Sequence, residues 1–483
     1  MKLLKPGRML TLCACICLVA AFTLRTSEGA EPKDGKAKTK KTKKADPKKA
    51  AKKKADRREA LRQLMLFADT LDQIERNYVK GKKISRKELI EAAIQGMLKK
   101  LDQYSDYVPP SETDRFRSGV ESQFGGIGIQ IDVVRGQLTI ISPIVGTPAY
   151  RAGIRAGDRI IRIGGKSTKG FNTAQAVKLL KGKIGTSVTF TVVHVDSPKE
   201  VKVTVKRALV KVNTVLGDSR NKDDSWDFML RKDSGIGYIR ITSFSRRTPT
   251  ELRKAMTQLK KQEVKGLILD LRFNPGGLLP AAIEISDMFL SEGKIVSTSG
   301  ANVRTRVWNA KKPGTFDKFP MAVLVNRYSA SASEIVSACL QDHERAIIIG
   351  ERTWGKGSVQ NIIPLDGGRS LLKLTTASYH RPSGKNIHRF KGATAKDEWG
   401  VTPEGDFRIR LTDGELNALL LQRRNRDVVR STDAPAKANV VDRQLAKAIN
   451  QLHKELGVKI DKPKKKKSKK KPAKKKPAKK TKK

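Results

Sequence analysis

Histidine is scarce in this chain: 483 residues contain five, His194, His343, His380, His388 and His453. His194 falls on a predicted strand and His453 lies near the tail. His380 and His388 bracket the loop segment Arg381-Pro382-Ser383-Gly384. No His/Cys/Asp group has metal-ligand spacing, so no metal and no cofactor is expected. Cysteine is equally thin. Cys13, Cys15 and Cys17 crowd into the N-terminal apolar stretch and leave Cys339 alone, which excludes an intramolecular disulfide framework. Acidic residues are few, 48 Asp and Glu against 100 Lys and Arg, for a formal charge of +52. Aromatics make up 5 % and are not interleaved with the basic runs, so the charge does not mark a specific nucleic-acid site.

The charge is unevenly placed. Residues 31–56 hold twelve lysines against four acids, and 462–483 hold fifteen lysines and no acid. Mixed only with residues such as Ala, Pro and Thr, both tracts are expected to be disordered and drawn to anionic membrane or wall polymers. Residues 1–30 read as an export signal: Lys2, Lys5 and Arg8, an apolar run Met9 to Leu24, then Ser27-Glu28-Gly29-Ala30. The run is short for a spanning helix, which needs ~20 residues. A cleaved signal and a retained anchor are both open. Either places the bulk of the protein outside the cytoplasm, periplasmic or extracytoplasmic and membrane-associated in the second case.

Between the tracts the periodicity changes three times. Residues 57–115 read as helical: Leu61, Leu64, Ala68, Leu71 and Ile74 recur at helical spacing, as do Ile90, Ile94, Met97 and Leu101. Ser85 and Glu88 form a capping-box pattern. These helices suit either a plain hairpin or a homodimer contact. Residues 116–207 read as short strands with one helix, Thr173 to Leu180. The glycine turn Phe124-Gly125-Gly126-Ile127-Gly128-Ile129 runs straight into a strand, and the segment Ala152-Gly153-Ile154-Arg155-Ala156-Gly157-Asp158-Arg159-Ile160 follows. This unit resembles a PDZ domain of secreted proteases. Successive N–H groups of such a turn can take a terminal carboxylate while the adjacent strand edge pairs with the peptide. The bland alternative for Phe124 to Ile129 is a tight turn only.

Residues 208–425 alternate apolar strands and helices, the mark of an α/β core with βαβ-type units. Predicted strands cover 237–241, 266–271, 322–325 and 346–349; predicted helices cover 249–261 and 280–290. Residues 426–461 close the fold as a C-terminal helical region. The core carries Arg272-Phe273-Asn274-Pro275-Gly276-Gly277, Ser329-Ala330-Ser331-Ala332-Ser333-Glu334 and Gly355-Lys356-Gly357-Ser358-Val359-Gln360. A serine becomes a nucleophile when a base takes its proton, and an amine can be that base once burial lowers its pKa. No Gly-x-Ser-x-Gly elbow surrounds Ser331. From the residues alone Ser329, Ser331 and Ser333 all compete; Ser333 suits a helix N-cap, and Ser331 would meet the positive end of the helix.

The combination of these three motifs resembles the C-terminal processing peptidases, or tail-specific proteases, from about residue 60 to about residue 455. The resemblance implies a serine-type endopeptidase that binds C-terminal tails of protein substrates through its PDZ domain. It implies Ser331 as nucleophile, Lys356 as general base and Gln360 as the side chain that orients the lysine. Asp342 matches a position of importance in some members, against the reading of a solvated corner beside His343 and Glu344. The backbone N–H of Ala332, next to the nucleophile, and that of Gly277 would form the oxyanion hole. Phe273 departs from the usual polar residue, and Val401-Thr402-Pro403-Glu404-Gly405 follows the family pattern loosely. A peptide-binding scaffold with a degenerate site is the alternative from another class, and the intact Ser331, Lys356 and Gln360 argue against it.

Overall fold

The computed structural model describes residues 47–80, 84–231, 235–429 and 441–458. The expected export signal, residues 31–46 of the first lysine tract and the second lysine tract lie outside them. Helix α1 (Pro47–Asn77) begins inside the tract that was expected to be disordered. The correction has a local reason: Lys48 to Asp56 is a Lys/Ala run of good helix formers, and Pro47 occupies the first helical position, where its absent N–H costs nothing. Helix α2 (Arg86–Leu101) starts at the predicted Ser85–Glu88 capping box. The N-terminal region is not purely helical, because strand β1 (Asp106–Val108) follows, before α3 (Pro110–Glu121).

Strand β2 (Gln123–Gly126) enters the PDZ-like unit. Its strands are β3 (Ile129–Val134), β4 (Gln137–Pro143), β5 (Arg159–Ile163), β6 (Lys166–Ser167), β7 (Ser187–Val193) and β8 (Glu200–Lys206). Helices α4 (Pro148–Arg151) and α5 (Thr173–Leu180) complete it. The sheet order is β3-β4-β5-β7-β8, so β3 is an edge strand. Ile140, Ile160, Ile163, Phe190 and Val192 fill the core of this unit. Strand β9 (Ala208–Lys211) pairs with β2 and closes its neck.

The peptidase core opens with short strands β10 (Val215–Leu216), β11 (Ser219–Arg220), β12 (Trp226–Asp227) and β13 (Met229–Arg231). A parallel sheet follows: β14 (Ile236–Ile241), α6 (Thr248–Lys261), β15 (Gly266–Asp270) and α7 (Leu279–Asp287). The hairpin β16 (Lys294–Gly300) and β17 (Val303–Asn309) intervenes before β18 (Met321–Val325), α8 (Ala332–Asp342) and β19 (Ile347–Gly350). Strands β14, β15, β18 and β19 pair side by side in parallel. Their residues are buried on both faces, which is why they read as continuous apolar runs. Helices α6, α7 and α8 cover one face.

Strands β20 (Ser358–Leu365) and β21 (Ser370–His380) join β1, β16 and β17 in a second sheet. Helix α9 (Asp413–Asp427) then straddles the 425/426 boundary drawn from the sequence. Helix α10 (Arg443–Glu455) packs Ala448 and Leu452 on the far face of the parallel sheet. Among the described residues no helix is long and apolar enough to cross a membrane.

Candidate active site

Three adjacent parallel strands end at one place. The chain leaves β15 into Arg272 to Gly277, β18 into Asn326 to Ser331, and β19 into Glu351 to Lys356. In open α/β sheets, the crevice beyond the carboxyl ends of the strands is where ligands bind.

Ser331 sits at the N-cap of α8 with φ 55° and ψ −114°. The helix begins one residue after it, so Ser331 itself takes the cap position that the sequence suggested for Ser333. Ser329 and Ser333 are fully buried and donate their hydroxyls to carbonyls, Ser329 to Leu271 O (2.9 Å) and Ser333 to Asn274 O (3.0 Å). Both therefore stitch the serine segment to the end of β15. Asn274 is the knot of that seam: its carbonyl accepts from Ala330 N and Ser333 Oγ, its Nδ2 donates to Ile241 O, and its Oδ1 accepts from Gly276 N.

The Gly276-Gly277 turn lies directly against the serine segment. A Cβ on Gly276 (φ 100°) would come within 2.6 Å of Ala330 O, 2.8 Å of Ser331 Cβ and 2.9 Å of Ala332 N. One on Gly277 (φ 151°) would meet Phe244 O at 2.1 Å. Both positions demand glycine on steric grounds alone. The Gly276 N–H is committed to Asn274.

Glu334 joins the serine segment to the lysine turn. Its Oε2 accepts from Ser331 N (2.7 Å) and Lys356 N (2.8 Å), and its Oε1 from Thr353 Oγ1 (2.6 Å) and Gly355 N (2.7 Å). One carboxylate oxygen thus holds the main chains of both candidate catalytic residues. Glu334 is fully buried, and burial raises its pKa against the effect of these four donors. Its backing is a second layer, in which Thr353 Oγ1 accepts from Val401 N, and Gly400 packs where a Cβ would strike Thr353 Oγ1 at 2.8 Å. Sequence reasoning assigned Glu334 no role; its position three residues into the helix was the available signal.

Lys356 is 7 % exposed and Ser331 4 %, which keeps both out of bulk water. Lys356 Nζ stands 5.1 Å from the centroid of Tyr104, a residue that sequence reasoning passed over. The Trp354 side chain lies beside the Tyr104 hydroxyl. Gln360 is buried and donates to Ser358 Oγ (2.8 Å) and Thr375 Oγ1 (3.2 Å), which places it in the second sheet just beyond the lysine turn. Asp342 is at the opposite end of α8, ~16 Å along the helix from Ser331 at 1.5 Å per residue. There it pairs with Arg381 (3.0 Å) and accepts from Ser383 N. Burial pushes its pKa up, but Arg381 and Ser383 together bring it below the usual range. That geometry anchors the Arg381 to Gly384 turn and puts Asp342 away from Ser331. His388, one of the two histidines that bracket the Arg381 to Gly384 loop, packs edge-on to Tyr104 with ring centroids 6.1 Å apart.

In the PDZ-like unit, Phe124, Gly125 and Gly126 pair with Val210, Leu209 and Ala208 of β9. The stretch joining that ladder to β3 is therefore Ile127 and Gly128 (φ 83°), shorter than the six-residue turn expected. Ile129 opens edge strand β3, and Lys181 Nζ lies 4.3 Å over the Phe124 ring. Among the described residues no group of three His, Cys, Asp or Glu side chains could hold a metal ion.

Three family models match along the chain: an activating protease CtpB N-terminal domain over residues 27–112, a PDZ domain over 139–194, and peptidase family S41 over 235–403. The carboxy-terminal-processing protease of Bartonella bacilliformis is 39 % identical over 350 residues, covering 71 % of this chain and 74 % of that protein. The carboxy-terminal processing protease CtpA of Bacillus subtilis is 39 % identical over 320 residues, covering 66 % of this chain and 65 % of that protein. Among solved structures, the photosystem II D1 C-terminal processing protease aligns with 72 % of this chain and 92 % of that chain at 29 % identity and TM-score 0.39. The chain belongs to peptidase family S41, among the serine-type carboxy-terminal-processing proteases that carry a PDZ domain.

Proposed function

We propose that this peptidase cleaves proteins whose C-terminal tails it captures through its PDZ domain, with Ser331 as nucleophile and Lys356 as general base. The observation that carries the reading is the shared Glu334 oxygen between Ser331 N and Lys356 N. A buried lysine is disposed to be neutral, because desolvation disfavours the ammonium. The neutral amine takes the Ser331 proton as Oγ attacks the carbonyl carbon, and returns it to the leaving amine. The N–H groups of Ala332 and Gly277 face the oxyanion in this scheme, and Gln360 steadies the lysine without adding a charge. Asp342 belongs to the scaffold. The tail adds to edge strand β3, with its carboxylate at Ile127 and Gly128. Incubating the protein with a tail-bearing substrate, with and without Lys356→Ala, separates this reading from a peptide-binding scaffold. A scaffold would leave the substrate uncut in both samples.

We further propose export to an extracytoplasmic compartment, with the lysine arms holding the protein to anionic membrane or wall polymers. Deleting 462–483 should weaken vesicle binding most at low salt; unchanged binding removes that role. The apolar residues Leu61, Leu64, Met65 and Phe67 of α1 are exposed, and a second copy of the chain is the partner proposed for them. Leu64→Glu should then lower the mass seen in sedimentation; an unchanged mass speaks against it.

A further inference from the structure

Resting on the Lys356 assignment above, we propose that Tyr104 is a positioning residue that caps Lys356 and keeps water from its amine, so that the N-terminal region tunes the base.

Tyr104 reaches the site from the turn between α2 and β1. Asp102 Oδ1 accepts from Tyr104 N (2.6 Å) and Ser105 N (2.8 Å), which sets the turn. Ser105 Oγ donates to Asp102 Oδ2 (2.7 Å) and accepts from Thr375 N of β21 (3.1 Å). Strand β1 then pairs with β21 through Asp106 to Val108. The turn is therefore fastened to the sheet that also holds β20, the strand following Lys356. The ring lies 5.1 Å from Lys356 Nζ and is backed edge-on by His388, which is itself 4.9 Å from Phe390. Burial raises the Tyr104 pKa, as expected for a side chain enclosed in this wall.

Two effects of the ring oppose each other. Its face attracts an ammonium, whereas its bulk denies that ammonium water. At a site this buried the second should win. The charged and titratable groups that meet Lys356 or the ring over it are Glu334 from α8, Asp102 and Tyr104 from the α2–β1 turn, and His388 from the loop after β21. Burial lowers the pKa of His388.

The test is the pH dependence of kcat/KM on a tail-bearing substrate for Tyr104→Phe, Tyr104→Leu and Tyr104→Ala, each in wild-type and His388→Gln backgrounds. Phe should reproduce the wild-type acid limb, Ala should move it to higher pH by about one unit, and Leu should fall between. The proposal is overturned by an Ala limb that stays in place while the rate drops, or that moves to lower pH. It is also overturned if the limb disappears with His388→Gln alone. Cleavage surviving in Lys356→Ala would instead remove the assignment of the base, and tail-peptide binding by each variant reports that it is folded.

Discussion

At Ser331 the backbone has a positive φ that few serines adopt, and Glu334 is the residue that holds it there. A non-glycine residue held in so sparsely populated a φ/ψ region costs of order 1–3 kcal/mol, sustained only where the surroundings over-determine it. Glu334→Gln replaces an acceptor that faces four donors with a group half of which is itself a donor. It should cut kcat about 10²- to 10³-fold while leaving tail-peptide binding unchanged, as read by steady-state kinetics beside peptide titration. Gly276→Ala should abolish cleavage, because its Cβ would fall within 3 Å of Ala330 O, Ser331 Cβ and Ala332 N; wild-type kcat in that variant would refute the packing argument. Ser331, Lys356 and the glycine turn were legible as motifs. Glu334 and Asn274 stand in those motifs but show their roles only in hydrogen bonds between segments 20 to 60 residues apart. Tyr104 carries no local pattern at all, since what places it is the pairing of β1 with β21, some 265 residues later.

The elements were easier to read than the contacts between them. Gly266 to Asp270 and Met321 to Val325 are buried on both faces, and their apolar runs announced them. The antiparallel sheet of β1, β16, β17, β20 and β21 was not legible, because its strands mix buried and exposed residues without a regular period and lie far apart in sequence. Nor was the buried ionic cluster just before the Gly276-Gly277 turn. Arg272 is fully buried between Asp270 (2.7 Å) and Asp442 (2.7 Å) of the α10 cap, and Arg423 of α9 also pairs with Asp270. Asp442→Ala, which strips one partner from a buried guanidinium, should cost about 3–5 kcal/mol in denaturant unfolding. Burial raises both carboxyls, yet Arg272 holds Asp270 and Asp442 below the usual carboxylate range. A depressed carboxyl contributes stability that is present above its unfolded pKa, near 4, and is lost as pH falls through the folded value. The melting temperature should therefore fall as pH drops below about 4, and less steeply in Asp442→Asn. A parallel decline in both proteins would show that other groups govern acid unfolding.

Across the whole molecule, the PDZ unit is tied to the core by few bonds. Tyr150 donates to Asp224 (2.6 Å), Arg424 pairs with Asp132 (3.3 Å) and Val429 N donates to Ser142 Oγ (3.0 Å). The exposed Arg424–Asp132 pair is of a kind worth at most about 1 kcal/mol, so the seat is shallow. Tyr150→Phe with Arg424→Ala should raise hydrogen exchange in β3 and β4 without lowering the overall melting temperature; unchanged exchange would mean that apolar contacts hold the unit. The order of regions along the chain was legible from shifts in periodicity, whereas this seat joins residues more than 70 positions apart.

The pairing of Ser331 with Lys356 is tested most directly by kcat/KM for a tail-bearing protein with Ser331→Ala and with Lys356→Ala, measured beside tail-peptide affinity. Both variants should lose at least about 10³-fold in cleavage while binding the tail as the wild type does. Cleavage within tenfold of wild type by either one would contradict the account.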